Sequence, residues 1–173
     1  MTYPEWSEPV RLMEQHLGPA TRDQQALAAE VGLALSGDLP HGVAAGMLED
    51  HLLPRIWADP ARGAAPATEK QVAFLENISD ERPWKRPPLT KRVASAWIDH
   101  YLTMRNAQRL RVLKIGSGDK VTKTEAWVNH LTGELQTLAT DHIVSSIGAS
   151  GLVYFKGGNG QCAWLSALSR NDA

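Results

Sequence analysis

Cysteine is almost absent from the chain. Among 173 residues only Cys162 is present, which excludes an internal disulfide and any zinc site built from several cysteines. No apolar run approaches the roughly 20 residues that a membrane-spanning helix needs, so no membrane partner is expected. Residues 1–10 lack the basic start and apolar stretch of a secretory signal, and we therefore expect a cytoplasmic protein. The net charge of −1 excludes a histone-like protein and an acidic DNA mimic.

Catalytic and metal-binding motifs are also missing. The chain contains six histidines, His16, His41, His51, His100, His130 and His142, but no His-x-x-x-His pair. It has no phosphate-binding loop and no Gly-x-Ser-x-Gly elbow. Cys162 could act as a nucleophile only if folding brought His142 near it, and a buried structural role is the simpler interpretation. The sequence therefore predicts no catalytic residue, no metal site and no cofactor, and thus a protein that is not an enzyme.

Charge is unevenly distributed along the chain. Residues 82–123, the basic zone, contain eleven basic and two acidic residues, a net charge of +9, whereas residues 1–68 carry −5. Clustered Lys and Arg attract polyanions by Coulomb steering and counterion release. The alternative is a solvated helix face followed by a polar linker. The candidate binding residues in this zone are Arg82, Trp84, Lys85, Arg86, Lys91, Arg92, Arg105, Arg109, Arg111, Lys114, Lys120 and Lys123.

Two stretches of the chain resemble each other. Both open with Thr-x-x-Gln, at residues 21–24 and 68–71, which is the pattern of a helix capping box. Each is followed by a second segment that places Val-Ala, a large apolar pair and a final Leu at helical spacing. The repeats predict two helical hairpins over residues 20–52 and 67–102. In the longer helix of the second hairpin the expected buried residues are Val93, Ala94, Trp97, Ile98, Tyr101 and Leu102.

Three further segments complete the helical region. A leading helix is predicted over residues 7–17, and the Pro/Ala/Gly-rich stretch 58–66 reads as the linker between the hairpins. The connection of the second hairpin, residues 79–88, contains the proline-rich stretch 82–88, which cannot be helical. Trp84 in this connection either forms an exposed stacking platform or plugs into the hairpin.

The C-terminal third changes period. Beyond Asn106 the helical signal fades, and the run 109–115 alternates in part. Short strand-like runs then follow at 120–124, 135–139, 143–147, 152–156 and 162–165, separated by turn signals that include Thr140-Asp141. The sequence thus predicts an α+β fold, with a helical region over 1–107 and a small β-barrel over 108–173. We expect Val153, Phe155, Cys162 and Trp164 in the barrel core, with Tyr154 on the opposite face.

Two resemblances rest on short patterns. The order Gly118-Asp119-Lys120-Val121, Thr132-Gly133-Glu134, residues 151–155 and Trp164 resembles small SH3-like, KOW-like or Tudor-like barrels. This resemblance implies a small barrel, closed or partly closed, and brings no catalytic residue with it. The second repeat resembles a helical module of actinobacterial and actinophage proteins, with the pattern Ala-Thr-x-Lys-Gln … Leu-Thr-x-x-x-Ala-Ser-x-x-Ile-Asp. The matching residues are Ala67, Thr68, Lys70, Gln71, Leu89, Thr90, Ala94, Ser95, Ile98 and Asp99. The first repeat departs from it, with Pro40 in place of the second Thr. This resemblance implies a phage or mobile-element context and no activity.

The sequence therefore predicts a non-catalytic binding or regulatory protein. Its expected partner is nucleic acid or a nucleic-acid-processing protein complex, contacted through the basic zone, with Trp84 and Trp127 as stacking groups. The alternative is a protein–protein adaptor, or a phage-encoded inhibitor of a host defence or nuclease protein, in which the basic zone docks on an acidic protein surface without binding nucleic acid. A further possibility is that the repeat units contact another copy of the chain in a homodimer.

Overall fold

The computed structural model describes residues 4–58, 65–79, 89–157 and 160–171. Within them the helices are α1 (Ser7–His16), α2 (Arg22–Glu30), α3 (His41–Ile56), α4 (Glu69–Ile78) and α5 (Lys91–Leu113). The strands are β1 (Lys120–Val128), β2 (Leu135–Ile147), β3 (Leu152–Phe155), β4 (Cys162–Trp164) and β5 (Leu168–Arg170), with a 3₁₀ helix (Leu165–Ala167) before β5. Helices thus precede a separate antiparallel sheet, which confirms the predicted α+β class. None of the described helices has the length and apolar character that a bilayer crossing requires.

The chain divides into two compact units. The sheet unit comprises Met1–Glu14 and Arg105–Ala173, and the helical unit comprises Gln15–Met104. Helix α5 contributes to both, because it continues to Leu113. The expectation that the helical period fades after Asn106 was therefore wrong. Ala107, Leu110 and Leu113 are buried at three-residue intervals, which is the spacing of one helix face and outweighs the partial alternation of the run 109–115.

Helices α2 and α3 lie in the first repeat, α4 and the start of α5 lie in the second, and the two repeats match in detail. Thr21 and Thr68 each accept a hydrogen bond from the backbone amide three residues later, at 3.2 Å in both cases. The Oε1 atom of each Gln in turn accepts a hydrogen bond from the backbone amide of the capping Thr. The Nε2 atom of each Gln donates to the first residue of the second helix. Gln24 reaches His41 O at 2.9 Å, and Gln71 reaches Lys91 O at 3.0 Å. In each repeat an antiparallel bridge joins residues that precede the two helices, Pro19 with Pro40 and Pro66 with Thr90, and so holds the two helix starts together.

Helix α5 presents the predicted apolar face to the core of the helical unit. Val93, Ala94 and Trp97 are buried there, with Ile98 and Tyr101 packed against them at partial exposure. Leu75 and Ile78 of α4 complete the same cluster together with Val43 of α3. The short helix of a hairpin cannot bury its apolar side alone, so the longer helix covers it.

The five strands form one open sheet in the order β4-β3-β2-β1-β5. Strand β2 is continuous over 13 residues, so the predicted turn at Thr140-Asp141 was wrong. These residues pair with Lys123 and Thr122 of β1, and this ladder carries the strand through a sequence that favours a turn. The edge strands β4 and β5 do not meet within the described ranges, so the closed barrel that the SH3-like resemblance allows is not found.

Helices cover the sheet face that closure would otherwise have buried. Val121, Val144, Val153 and Phe155 point into a core shared with α1 and with the end of α5. From the helices this core receives Val10, Met13, Ala107, Leu110 and Leu113. Because these side chains remove one face of the sheet from water, the small sheet does not need to curl onto itself.

Candidate functional site

Two aromatic side chains lie exposed on the sheet face opposite the core. Trp164 was predicted in the core, but half of its surface (50%) is exposed, and Tyr154 is 43% exposed. Val153 pairs with Ala163, and Leu152 pairs with Trp164. Because paired residues share a face, the buried position belongs to Ala163 and Trp164 turns outward. Cys162 pairs with Tyr154 on this outer side and is half-buried, so its predicted place in the core was wrong as well, whereas Val153 and Phe155 are buried as predicted.

The inward side of β4 was predicted wrongly because its three residues allow two arrangements. Either Ala163 faces the core, or Cys162 and Trp164 do. Cys162 and Trp164 are larger than Ala163, which favoured them as core residues. The register with β3 decides otherwise, since Val153 is completely buried and its partner must face the same way. Tyr154 is also positioned by its neighbours. It pairs with Ser146, and a Cβ atom at Gly148 would lie 3.9 Å from Tyr154 Cε2, so the ring passes over a residue without a side chain.

Two lysines and one aspartate lie on the same side of the sheet. We call this surface the outer sheet face, and it is formed by Tyr154, Trp164, Ile143, Lys120, Lys156 and Asp141. Lys120 pairs with the exposed Ile143. Lys156 follows β3, and its amide donates to Ile143 O at 2.8 Å. Hydrogen bonds from Thr122 Oγ1 at 2.8 Å and Asn171 Nδ2 at 3.0 Å hold the pKa of Asp141 below its usual range, so this carboxylate stays ionised.

Arg92 of the basic zone is held by the first hairpin. Its guanidinium donates to Asp50 of α3 and lies 3.0 Å from a Glu49 carboxylate oxygen. Asp50 also accepts a hydrogen bond from Thr90 Oγ1, and only 9% of its side chain is exposed. Arg92 therefore neutralises an acidic pair within the helical unit, which reduces the charge it offers to a ligand.

The arginines near the end of α5 also contact the protein itself. Arg109 donates to Leu168 O at 2.7 Å and so ties the helix to the start of β5. Arg111 forms an ion pair with Glu14 of α1. Arg105 is an exposed residue, and it too takes part in an interaction within the protein. Arg109 and Arg111 are thus engaged within the sheet unit, with acceptors that lie far from them along the chain.

The remaining candidates of the basic zone differ in their surroundings. Lys91 and Lys114 are exposed, and Lys114 ends α5 in a left-handed conformation with φ of 50°. Lys123 lies 2.6 Å from Glu125 and is only 23% exposed at its side chain. Arg82, Trp84, Lys85 and Arg86 lie outside the described residues. Among the described candidates of the basic zone, Lys120 is therefore the one that lies on the outer sheet face, the face that also carries Tyr154 and Trp164.

A pocket of about 250 Å³ opens on the sheet unit. It is lined by Lys123, Glu125, Thr140, His142, Phe155, Gln161 and Cys162. The fold thus brings His142 and Cys162 to one pocket. The imidazole of His142, however, stacks on Phe155 with ring centroids 4.2 Å apart, and its Nε2 lies 2.9 Å from Thr140 Oγ1. One face of the imidazole is thus covered by Phe155, and its Nε2 is engaged by Thr140.

Three histidines gather in the helical unit. His16 and His41 stack with ring centroids 6.1 Å apart. His100 packs edge-on against Trp97 and Tyr101, and its Nδ1 is buried without a hydrogen-bond partner among the described residues. Burial lowers the pKa of His100, and the nearby His41 lowers it further. In the described ranges no three His, Cys, Asp or Glu side chains are arranged to hold a metal ion.

Comparisons with known proteins add no relative. No family model matches the chain, and neither a curated protein nor a solved structure is significantly similar to it. The function has therefore to be argued from the surfaces described above.

Proposed function

We propose that the protein is a non-catalytic nucleic-acid-binding protein and that the outer sheet face binds a single strand. The observation that carries this proposal is the exposure of Tyr154 and Trp164 at diagonal positions of the paired strands β3 and β4, on the face opposite the core. Aromatic rings held on a sheet provide flat surfaces on which unpaired bases stack. A duplex hides the faces of its bases, so such a surface favours single-stranded DNA or RNA.

The charges around the two rings support the same ligand. Lys120 and Lys156 lie on the outer sheet face and can contact phosphates, while Asp141 opposes them. Lys114 follows the end of α5 and supplies a further exposed cation from the basic zone. Basic residues thus still contribute to the proposed binding, but the phosphate contacts are assigned to lysines on and near the sheet instead of the arginines of α5.

Aromatic truncation on the outer sheet face tests the stacking role. Trp164→Ala and Tyr154→Ala should each weaken binding of a fluorescein-labelled oligo-dT or oligo-U by roughly tenfold, because base stacking contributes about 1–3 kcal/mol per base. Fluorescence anisotropy of the full chain measures the affinity. Trp127→Ala is the matched control, because Trp127 has a similar exposure of 46% but lies on the opposite side of the sheet.

Charge substitutions test the electrostatic part. Lys156→Glu should weaken binding, whereas Asp141→Asn should strengthen it, since a low-pKa carboxylate is removed from the surface. The affinity should fall with added salt, with a logarithmic slope of about −0.7 per phosphate contacted on a single strand. A wild-type chain that binds neither single-stranded DNA nor RNA at low salt would overturn the proposal. That outcome would favour the adaptor or inhibitor, which predicts no nucleic-acid binding at all.

Two finer hypotheses accompany this proposal. The phage or mobile-element context rests on the resemblance of the second repeat, and the SH3-like relationship of the sheet unit rests on its turn and strand pattern. Both would be consistent with a small regulatory protein of a nucleic-acid-processing complex. Pull-down from the source cell, with and without nuclease, would distinguish a ligand that is nucleic acid from a bound protein.

A further inference from the structure

Strands β1 and β2 extend beyond the rest of the sheet as a two-stranded arm. Strand β5 pairs with β1 only at 121–123, and the pairing of β2 with β3 starts at Val144. We call residues 124–139 the arm. Within the described parts of the chain no third strand pairs with either edge of the arm. A two-stranded ribbon is only marginally stable in water by itself, and an unpaired edge can accept another strand.

The arm also exposes large apolar side chains on both of its faces. Val128 and Leu135 pair on one face, at 50% and 70% exposure. Trp127 and Leu138 lie on the other face, and Leu131 at the turn is 96% exposed. Single exposed apolar residues are ordinary, but a cluster of this kind on a protruding element marks an interaction surface. The arm therefore has the features of an element that is covered by a partner.

The charge of the arm indicates which class of partner covers it. The arm contains Glu125 and Glu134 but no Lys or Arg, and the next basic residue along the chain is Lys156. Nucleic acid would be repelled by such an element. A polypeptide strand is the fitting partner, since it can satisfy the open backbone groups and cover apolar side chains.

The backbone pattern of β1 shows which groups are open. The amide of Asn129 donates to Glu134 O at 2.8 Å, so the odd-numbered residues of β1 bond to β2. On the other edge, Asn171 N donates to Lys120 O at 3.3 Å, which agrees with even-numbered residues pointing away from β2. The N–H and C=O groups of Thr124, Ala126 and Val128 therefore point outward from the arm.

We propose that this edge pairs with the same edge of a second copy, antiparallel and centred on Ala126. In that register Thr124 lies opposite Val128 of the partner subunit, and Glu125 lies opposite Trp127 of the partner subunit. No like charges lie directly opposite each other, and the smallest side chain of the segment lies on the two-fold axis. The two Glu125 carboxylates are diagonal neighbours, and each is paired at 2.6 Å with Lys123 of its own chain. The two Trp127 rings become diagonal neighbours on one face, within reach of aromatic contact. A self-complementary strand of this kind gives a closed two-fold dimer.

Proline substitution tests the proposal because it removes one outward N–H without breaking the arm. Ala126→Pro deletes the central donor of the β1 edge, and proline is tolerated at an edge where its N–H faces solvent. Ala139→Pro is the matched control, since Ala139 pairs with Thr124 and its N–H points outward from the β2 edge. Analytical ultracentrifugation of the full chain should give a dimer for the wild type and for Ala139→Pro, and a monomer for Ala126→Pro. A wild type that remains monomeric up to several hundred micromolar, or a dimer that survives Ala126→Pro, would overturn the proposal.

A cross-link tests the register independently of the proline variants. In a Cys162→Ser background, Ala126→Cys should form a disulfide-linked dimer on mild oxidation. Directly opposite hydrogen-bonded residues have Cα atoms about 5.5 Å apart, within the range of a disulfide. Thr124→Cys should not cross-link, because the two copies of residue 124 would be roughly 14 Å apart along the strands. Efficient cross-linking of Thr124→Cys and not of Ala126→Cys would contradict the register centred on Ala126.

Discussion

Asp50 of α3 binds Arg92 in the first turn of α5 and thereby joins the two repeats of the helical unit. The same carboxylate accepts a hydrogen bond from the hydroxyl group of Thr90. The Thr90 hydroxyl oxygen in turn caps α5, because it accepts a hydrogen bond from the Val93 amide at 3.1 Å. At the corresponding positions the first repeat has Pro40 and Gly42, which can form neither contact. The repeats have thus diverged at the point where they meet.

Loss of either partner should destabilise the protein rather than weaken ligand binding. Asp50→Ala and Arg92→Ala should each lower the free energy of unfolding by about 1–3 kcal/mol, the range for hydrogen bonds to charged groups. The double variant should lose less than the sum of the two, because the residues act together. Urea unfolding gives the values, and Arg111→Ala, which removes a more exposed pair with Glu14, should cost at most about 1 kcal/mol. A weaker oligonucleotide affinity of Arg92→Ala at unchanged stability would instead make Arg92 a ligand contact.

Gly151 should tolerate no side chain. Its φ is +86°, and a Cβ atom there would lie 2.5 Å from Cγ of Asn106, whose amide donates to Ser150 O at 2.7 Å. Gly133 has a similar φ of +73° but no atom within 4 Å of the added Cβ. Gly133→Ala should cost about 1 kcal/mol for the left-handed conformation alone. Gly151→Ala should cost clearly more, and thermal unfolding of both variants measures the difference. Equal losses would show that Asn106 moves aside freely.

Trp97 should be the most important side chain of the helical unit. It is 7% exposed and stacks on Tyr101 with ring centroids 5.7 Å apart. Trp97→Ala should lower the free energy of unfolding by about 3–5 kcal/mol, as large aromatic truncations in cores do. Met47 holds the equivalent position in the first repeat but is only half-buried, so Met47→Ala should cost less. A loss below 1 kcal/mol for Trp97→Ala in urea unfolding would contradict its burial.

Stability should decline in mildly acidic solution because of His100. Burial and the neighbouring His41 lower the pKa of His100 below the usual histidine value of about 6.5, so the unfolded chain binds more protons near and below that pH. The free energy of unfolding should therefore fall as the pH drops from about 7.5 to 5, and His100→Asn should reduce this slope. Burial raises the pKa of Asp99, so Asp99 makes the protein more stable as the pH falls, opposite to His100. Its contribution is common to the wild type and His100→Asn, and it cancels when the pH slopes of the two are compared.

His130→Gln is the control for the pH experiment. His130 is exposed in the turn between β1 and β2. Its replacement should leave the slope of the wild type unchanged. Identical slopes for the wild type and His100→Asn would show that His100 does not couple folding to protons.

The candidate site was predictable only in part. The alternation of β3 placed Tyr154 outward in advance, and Lys120 was already a candidate from the charge map. Trp164 was misplaced, because a large aromatic residue beside small ones is ordinarily the buried one. Arg92, Arg109 and Arg111 were grouped by their closeness in sequence, but their acceptors Asp50, Leu168 and Glu14 are distant along the chain. Charge counts cannot find such partners.

The sequence by itself determined the local features of this protein. Thr-x-x-Gln capping, the apolar spacing of α5 and the duplication depend on residues a few positions apart, and hydrogen bonding and helical period act over that distance. Tertiary structure decided the rest. The continuity of β2, the inward side of β4 and the length of α5 depend on which distant strand or helix lies alongside. Strand pairing and burial between distant segments outweigh weak local preferences. The free energy that they contribute exceeds what is lost when a residue that favours a turn is placed in a strand.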